Sequence, residues 1–419
     1  MISRRRLLKL GLAAPLGVAL APRISRGATQ PVTIQYATWA QAAEVDITNA
    51  MIKIFESKNP GIKVDLQVLP LNEYYAQLET RMSGGKAPDV FRAVYSNFGR
   101  YGGAGQALDL TPLIPKGMDE EFSPSLWGAV NYKGKPYAIP AITDNVAFFY
   151  NVKFFEKAGI KPPTKIEQAW TWEQLMDIGN QMMAKAGAKF GFTSYGRSPK
   201  SWHALLRQNG GSYLNEDQTK PAINEPAAVE AIEWFVNTFK KMSPPSSLWN
   251  RVDSSDQLFA TGATGFAMSG MWMLPYFDAN VKDFKYSVTY ISRRKILTSD
   301  FGGSGLAISP QSKKVKEAWA FVSYMTGEEG MLKYCAEGYF IPPRKKVAEM
   351  IKYPAHNEEL RYFLEQVKVL DAKLVKDYIH PRYPQMEVVM KEEIEQAVLG
   401  KKTPKEAADS AAERIAKLL

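Results

Sequence analysis

The stretch PVTIQYATWAQAAEVDITNAMIKIFESKNPGIKVDLQVLP, residues 31–70, decides the fold class. Its first segment, Val32 to Trp39, is rich in the β-branched and aromatic residues that suit a pleated strand. Ile47, Met51, Ile54 and Phe55 then recur at helical spacing, and Asn59-Pro60-Gly61 stops that helix. Ile62, Val64, Leu66 and Val68 alternate with other residues as a second strand. A strand, a helix and a strand in succession form a crossover unit, so a parallel α/β lobe is expected.

The pattern continues outward. GGKAPDVFRAVYSN, residues 84–97, places a short apolar strand after Pro88-Asp89 and runs out into a polar loop. Thr171 with Gln174 begins a helix carrying Leu175, Ile178 and Met182, and Thr403, Pro404 and Glu406 begin another with proline at its first position. Ile232, Phe235, Val236 and Phe239 mark a further amphipathic helix, as do Ala318, Phe321, Val322 and Met325. In TGFAMSGMWMLPYF, residues 264–277, Phe266 to Met268 read as a core strand that ends where Ser269 and Gly270 let the backbone leave the sheet. Strands and helices alternate to about residue 325, and the tail is mostly helical. With 419 residues, two domains are expected rather than one core.

The N-terminus has a basic head, an apolar segment from Leu10 to about Ala21, and small residues beyond, which is the layout of an export signal over 1–28. Ser3-Arg4-Arg5-Arg6-Leu7-Leu8-Lys9 resembles a twin-arginine signal. Cleavage after Gly27 or Ala28 would take away six basic residues and no acid, lowering the formal charge from +10 to +4. The basicity is therefore largely that of the tag, and no Lys/Arg stripe remains to neutralise a nucleic-acid backbone. The one cysteine, Cys335, allows no internal disulfide and reads as a buried apolar side chain; none stands near the signal to carry a lipid. The mature chain is expected free in the periplasm.

Chemical motifs are sparse. His203, His356 and His380 lack metal-ligand spacing, no serine lies in a G-x-S-x-G elbow, and the glycines at 102–105 and 302–305 match neither phosphate-binding pattern. No catalytic residue, metal or cofactor is assigned. A secreted carbohydrate-active enzyme using paired carboxylates stays open, because such pairs cannot be recognised in sequence.

Seven segments in order resemble the extracellular solute-binding proteins of ABC transporters, in the carbohydrate group that includes the maltose- and glycerol-3-phosphate-binding proteins. They are GGKAPDV (84–90), YKGKPYAIPAITDNVAFFYNVKFFEKAGI (132–160), TWEQL (171–175), FATGATGFAMSGMWMLPYF (259–277), GGSGLAISPQSKKVKEAWAFVSYMT (302–326), EGYFIPPRKKV (337–347) and GKKTPKEAADSAAERIAKLL (400–419). The resemblance implies a two-lobed, type II-like periplasmic binding protein with hinge segments, a ligand cleft between the lobes and an α-rich tail. The first lobe would comprise 30–142 plus 299–342 and the second 146–296 plus 346–419, with hinges near 143–145, 297–298 and 343–345. It also implies a monomer that hands a carbohydrate to ABC permease subunits; a sensor docking to a receptor instead is the related alternative.

Carried over, the resemblance points to a set of cleft residues. Trp39 and Gln41 follow the first strand, Tyr95, Ser96 and Asn97 follow the PDV strand, and Thr143 and Asp144 occupy the first crossing. In the second lobe come Ser194, Tyr195, Trp202, His203, Gly270 and Trp272, and the returning chain adds Gly303, Ser304 and Arg344. Carboxylates and amides would meet sugar hydroxyls, while Trp272 would offer a flat surface to a sugar's C–H face. A neutral sugar is the expected ligand. An anionic sugar or glycerol-phosphate derivative, met by Arg197, Arg207 or Arg344, is the alternative.

Overall fold

The structure, a computed structural model, describes residues 30–40, 42–193, 200–250 and 253–419. The expected export signal over 1–28, and Gln41, Ser194, Tyr195 and Arg197, lie outside them. Eleven strands are described: β1 (Val32–Thr38), β2 (Ile62–Val68), β3 (Val90–Val94), β4 (Asn131–Tyr132), β5 (Lys135–Pro136), β6 (Ile139–Asp144), β7 (Val146–Asn151), β8 (Phe190–Thr193), β9 (Thr264–Gly270), β10 (Tyr286–Thr289) and β11 (Gly302–Ile308).

Two sheets divide them. The first has the order β2-β1-β3-β11-β6 and the second β10-β7-β9-β8, while β4 and β5 pair in a small hairpin. The opening stretch forms the expected unit: β1 and β2 run parallel in register from Val32 opposite Ile62 to Thr38 opposite Val68. Between them the helix Ala42–Lys58 buries Ile47, Met51, Ile52 and Phe55. Each sheet has a strand buried along its whole length, β11 in the first and β9 in the second. The two sheets with their helices are the two lobes, and the helices Asn357–Val367, Ala372–Tyr378, Tyr383–Val398 and Pro404–Ala416 make the α-rich tail.

Local signals acted as the sequence suggested. Thr171 and Thr403 both form reciprocal capping boxes, with Gln174 and Glu406 respectively. The stripes on the helices Pro226–Met242 and Val315–Met325 are the buried ones, and Cys335 is buried within Glu328–Gly338.

Three passages connect the sheets, and they are bonded to one another. Only Asn145 separates β6 from β7; it is buried and its amide donates to the Phe363 carbonyl at 3.0 Å. The backbone N–H of Val146 donates to an Asp300 carboxylate oxygen at 2.9 Å, which ties this passage to the one between β10 and β11. Thr143 and Ile341 exchange two backbone hydrogen bonds of 2.9 and 3.0 Å, tying in the third.

Gly303 is where the first sheet closes on this junction. Its φ is +119°, a region costly for any residue with a side chain, and an added Cβ would stand 2.3 Å from the Ile142 carbonyl oxygen and 2.6 Å from Thr143 Cα. Both neighbours are backbone and cannot swing aside. Gly303→Ala is expected to lower folding stability by about 3 kcal/mol, measured by urea unfolding.

Candidate functional site

In an open α/β sheet, loops at the carboxyl ends of parallel strands converge on a crevice. Here Trp39 directly follows β1, and β3 runs into the turn Tyr95–Asn97, which leads into the helix Phe98–Gly103. Trp39 is half-buried, with Tyr74 edge-on at 5.1 Å and Tyr75 at 5.9 Å. Tyr95 is buried; its hydroxyl donates to the Ile142 carbonyl at 2.8 Å and its ring stacks on Phe301 at 5.3 Å, nearly parallel. Phe301 in turn meets Tyr378 edge-on at 5.5 Å. Residues from the turn after β3, the second crossing and the helical tail thus make one continuous aromatic stack, buried beneath the junction of the lobes.

Asp144 is half-buried at the end of β6, paired across the ladder with Gly302. Burial first, and the neighbouring Asp144 carboxylate second, raise the Tyr95 phenol well above its ordinary value. The phenol is therefore a neutral donor at any physiological pH. Ser96 and Asn97 are buried beside it, and Asn97 lies at the edge of reach of the Arg100 guanidinium, 3.5 Å away.

From the second lobe, Gly270 ends β9 and Trp272 follows in a short turn. The Trp272 ring lies over Gly270 so closely that an added Cβ would stand 2.2 Å from it. Trp272 is half-buried and packs against core residues of both lobes, which places it between them.

Other expected site residues have their polar groups engaged within the protein. The Thr143 hydroxyl donates to the Gly302 carbonyl at 2.8 Å, and Ser304 Oγ accepts from Arg92 Nε at 2.8 Å. Arg344 is buried: its Nε donates to the Thr326 carbonyl at 2.6 Å, it pairs with Glu121, and its guanidinium lies over Phe122 at 4.9 Å. Gly303 acts by absence, since Tyr95 and Thr143 occupy the space a side chain would need. Trp202 and His203 differ most from the expectation of a cleft wall. Both are enclosed, with His203 Nδ1 3.1 Å from the Tyr383 hydroxyl and Tyr213 packed against both rings.

Sequence reading passed over several residues that the fold brings to this region. Phe301 and Tyr378 complete the buried aromatic stack, yet neither lies in a motif. Arg92 carried a signal, a charge inside the apolar strand VFRAV. Beyond the stack the lobes touch where Gly99 meets the tail; an added Cβ there would stand 2.4 Å from the Ile379 carbonyl oxygen. Outside that contact a crevice of about 580 Å³ is lined by Arg100, Tyr132, Gln218, Thr219, His380 and Arg382, among others. Among the described residues no cluster of three or more His, Cys, Asp or Glu could hold a metal ion, and no helix is long and apolar enough to cross a membrane.

Two α/β lobes joined by three bonded crossings, with aromatic and polar side chains gathered at their junction, define a hinged binding protein. Residues 30–332 match the family model of bacterial extracellular solute-binding proteins, and the chain belongs to that family. It is 24% identical over 345 residues to the multiple sugar-binding protein of Streptococcus mutans, covering 78% of this chain and 79% of that one. It is also 24% identical over 384 residues to the arabinooligosaccharide-binding protein of Bacillus subtilis, covering 86% and 87%. In structure it resembles an ABC substrate-binding protein from Listeria monocytogenes in complex with cycloalternan, at 26% identity and a TM-score of 0.82 over 93% of this chain and 99% of that one. A solute-binding protein from Thermotoga lettingae bound to α-D-tagatose gives 26% identity and a TM-score of 0.79, over 92% and 99%.

The enclosure of His203 has a consequence for pH. Burial first, with the charges of Lys373 and Arg207 adding to it, lowers its pKa from 6.5 to about 3. Between those values the unfolded chain binds a proton that the folded ring does not. The stability that neutral His203 contributes is present above pH 6.5 and is lost as pH falls through this window, by up to about 1.4 kcal/mol per pH unit. Urea unfolding from pH 7 down to pH 4 should show a steeper loss in the wild type than in His203→Phe.

Proposed function

We propose that the protein captures a sugar or sugar derivative in the cleft between its lobes and delivers it to ABC permease subunits. The observation that carries this reading is the placing of two half-buried indoles and a half-buried carboxylate at strand ends, Trp39 after β1, Asp144 at the end of β6 and Trp272, packed against both lobes, after β9. Rings suit the C–H faces of a pyranose, and a carboxylate accepts from its hydroxyls. The relatives named for sugars and the neighbours solved with sugars bound support the same ligand class.

The chain would act as a monomer in the periplasm after loss of residues 1–28, and it would perform no covalent chemistry. The proposed lobes are 30–142 plus 299–342 and 146–296 plus 346–419, with the three crossings as hinges. Ligand touching both lobes would stabilise the closed form, which the permease reads. Of the three arginines named for an anionic ligand, the two within the described residues are already engaged, Arg207 with Asp371 and Arg344 with Glu121, which supports a neutral ligand at those positions.

A thermal-shift panel of neutral mono- and oligosaccharides, sugar acids and sugar phosphates tests this. At a hundredfold excess over Kd a true ligand adds about 2.7 kcal/mol of stability. The same ligand should shrink the radius of gyration in solution scattering, and mass spectrometry should recover it unchanged; a hydrolysed product would instead make the protein an enzyme. Trp272→Ala is expected to weaken binding by about tenfold or more while leaving the fold intact. Lost stability with unchanged affinity would return Trp272 to a packing role.

A further inference from the structure

Beneath Trp39 lies a buried guanidinium that the binding reading leaves unused. Arg92, in the middle of β3, is 5% exposed. Its Nη1 donates to a Glu44 carboxylate oxygen at 2.8 Å and to the Trp39 carbonyl oxygen at 3.2 Å, while Nε donates to Ser304 at 2.8 Å. The central carbon of the guanidinium lies over the Trp39 ring, 4.4 Å from its centre. Tyr334 completes the group by donating to the same Glu44 oxygen at 2.8 Å. The space beside Arg92 is only about 10 Å³, enough for one water at most.

We infer that Arg92 is the positioning residue of the Trp39 platform, holding both the backbone and the ring of that one residue so that the indole is presented to ligand in a fixed orientation. This rests on the reading of Trp39 as a ligand-facing residue. Stability alone explains the group poorly, because a buried ion pair can often be replaced by apolar residues of similar size at no loss. What apolar residues cannot supply is a flat cation against one face of the indole together with a donor to its carbonyl. Arginine does both because its charge is spread over a rigid fork; lysine, a point charge on a flexible stem, can pair with Glu44 but cannot stack. Glu44 keeps the guanidinium from turning away, and burial and the surrounding groups leave it no alternative hydration. A ligand ring then meets an indole whose ordering has already been completed in the free protein, which lowers the entropy lost on binding.

The test uses the mature full-length chain. Arg92→Met is made together with Glu44→Gln so that neither charge is left alone in the core, and Arg92→Lys is made separately. The first readout needs no ligand: the Trp39 contribution to the near-ultraviolet circular dichroism, obtained as wild type minus Trp39→Phe, should be lost in the double variant and reduced in Arg92→Lys. The second is affinity by calorimetry for the neutral oligosaccharide giving the largest thermal shift. The double variant should bind it about tenfold more weakly, and that difference should vanish when Trp39→Ala is present in both backgrounds. An unchanged Trp39 signal, or the same loss of affinity with and without Trp39, would overturn the inference. If the wild type binds no sugar, the carbohydrate reading fails, while the dichroism still decides whether Arg92 orders Trp39.

Discussion

The cleft depends on a short length of chain, Thr143 to Val146, where two sheets are joined with a single residue to spare. Because Asn145 alone separates β6 from β7, the two lobes are held within a residue's reach of each other at this point. The hydrogen bonds from Val146 to Asp300 and between Thr143 and Ile341 bind the other two crossings to it. The three crossings are thus held together at one place by backbone and side-chain hydrogen bonds. That restricts the relative motion of the lobes and keeps the ends of their strands facing one another.

The side chains around the junction follow from this constraint. Gly303 is needed because Ile142, Thr143 and Tyr95 occupy the space its Cβ would take. Tyr95 then stacks on Phe301, itself part of the second crossing, and Phe301 meets Tyr378 of the tail. Thr143 and Ser304 use their hydroxyls to hold the frame, and Tyr95 holds it through its own hydroxyl to the Ile142 carbonyl.

Two buried groups, one in each lobe, show what decides whether a charge is kept. In the first, Arg92, Glu44, Tyr334 and Ser304 form a connected network that keeps a full charge away from water. In the second, His203 is enclosed without a carboxylate bonded to its ring, so burial decides its protonation state and the ring is neutral. The contrast is one of partners rather than depth. A buried charge survives where an opposite charge and hydrogen bonds surround it, and is otherwise given up.

The sequence by itself determined the α/β class, the crossover unit of residues 31–70, the helix starts at Thr171 and Thr403, and the buried strand before Gly270. Each rests on contacts between residues close in the chain, so spacing and residue type carry the information. It also located the loops around Tyr95, Asp144 and Trp272 through their order along the chain. Only the tertiary structure decided which of the expected site side chains are engaged within the protein. Ser304 is taken by Arg92, 212 residues earlier, and Arg344 by Thr326 and Glu121. Trp202 and His203 are enclosed by Tyr213 and the distant Tyr383. Phe301 and Tyr378 join the buried stack on Tyr95 only because the crossings and the tail meet there. Partners so far apart in sequence leave no periodicity or spacing to read, and only the folded chain brings them together.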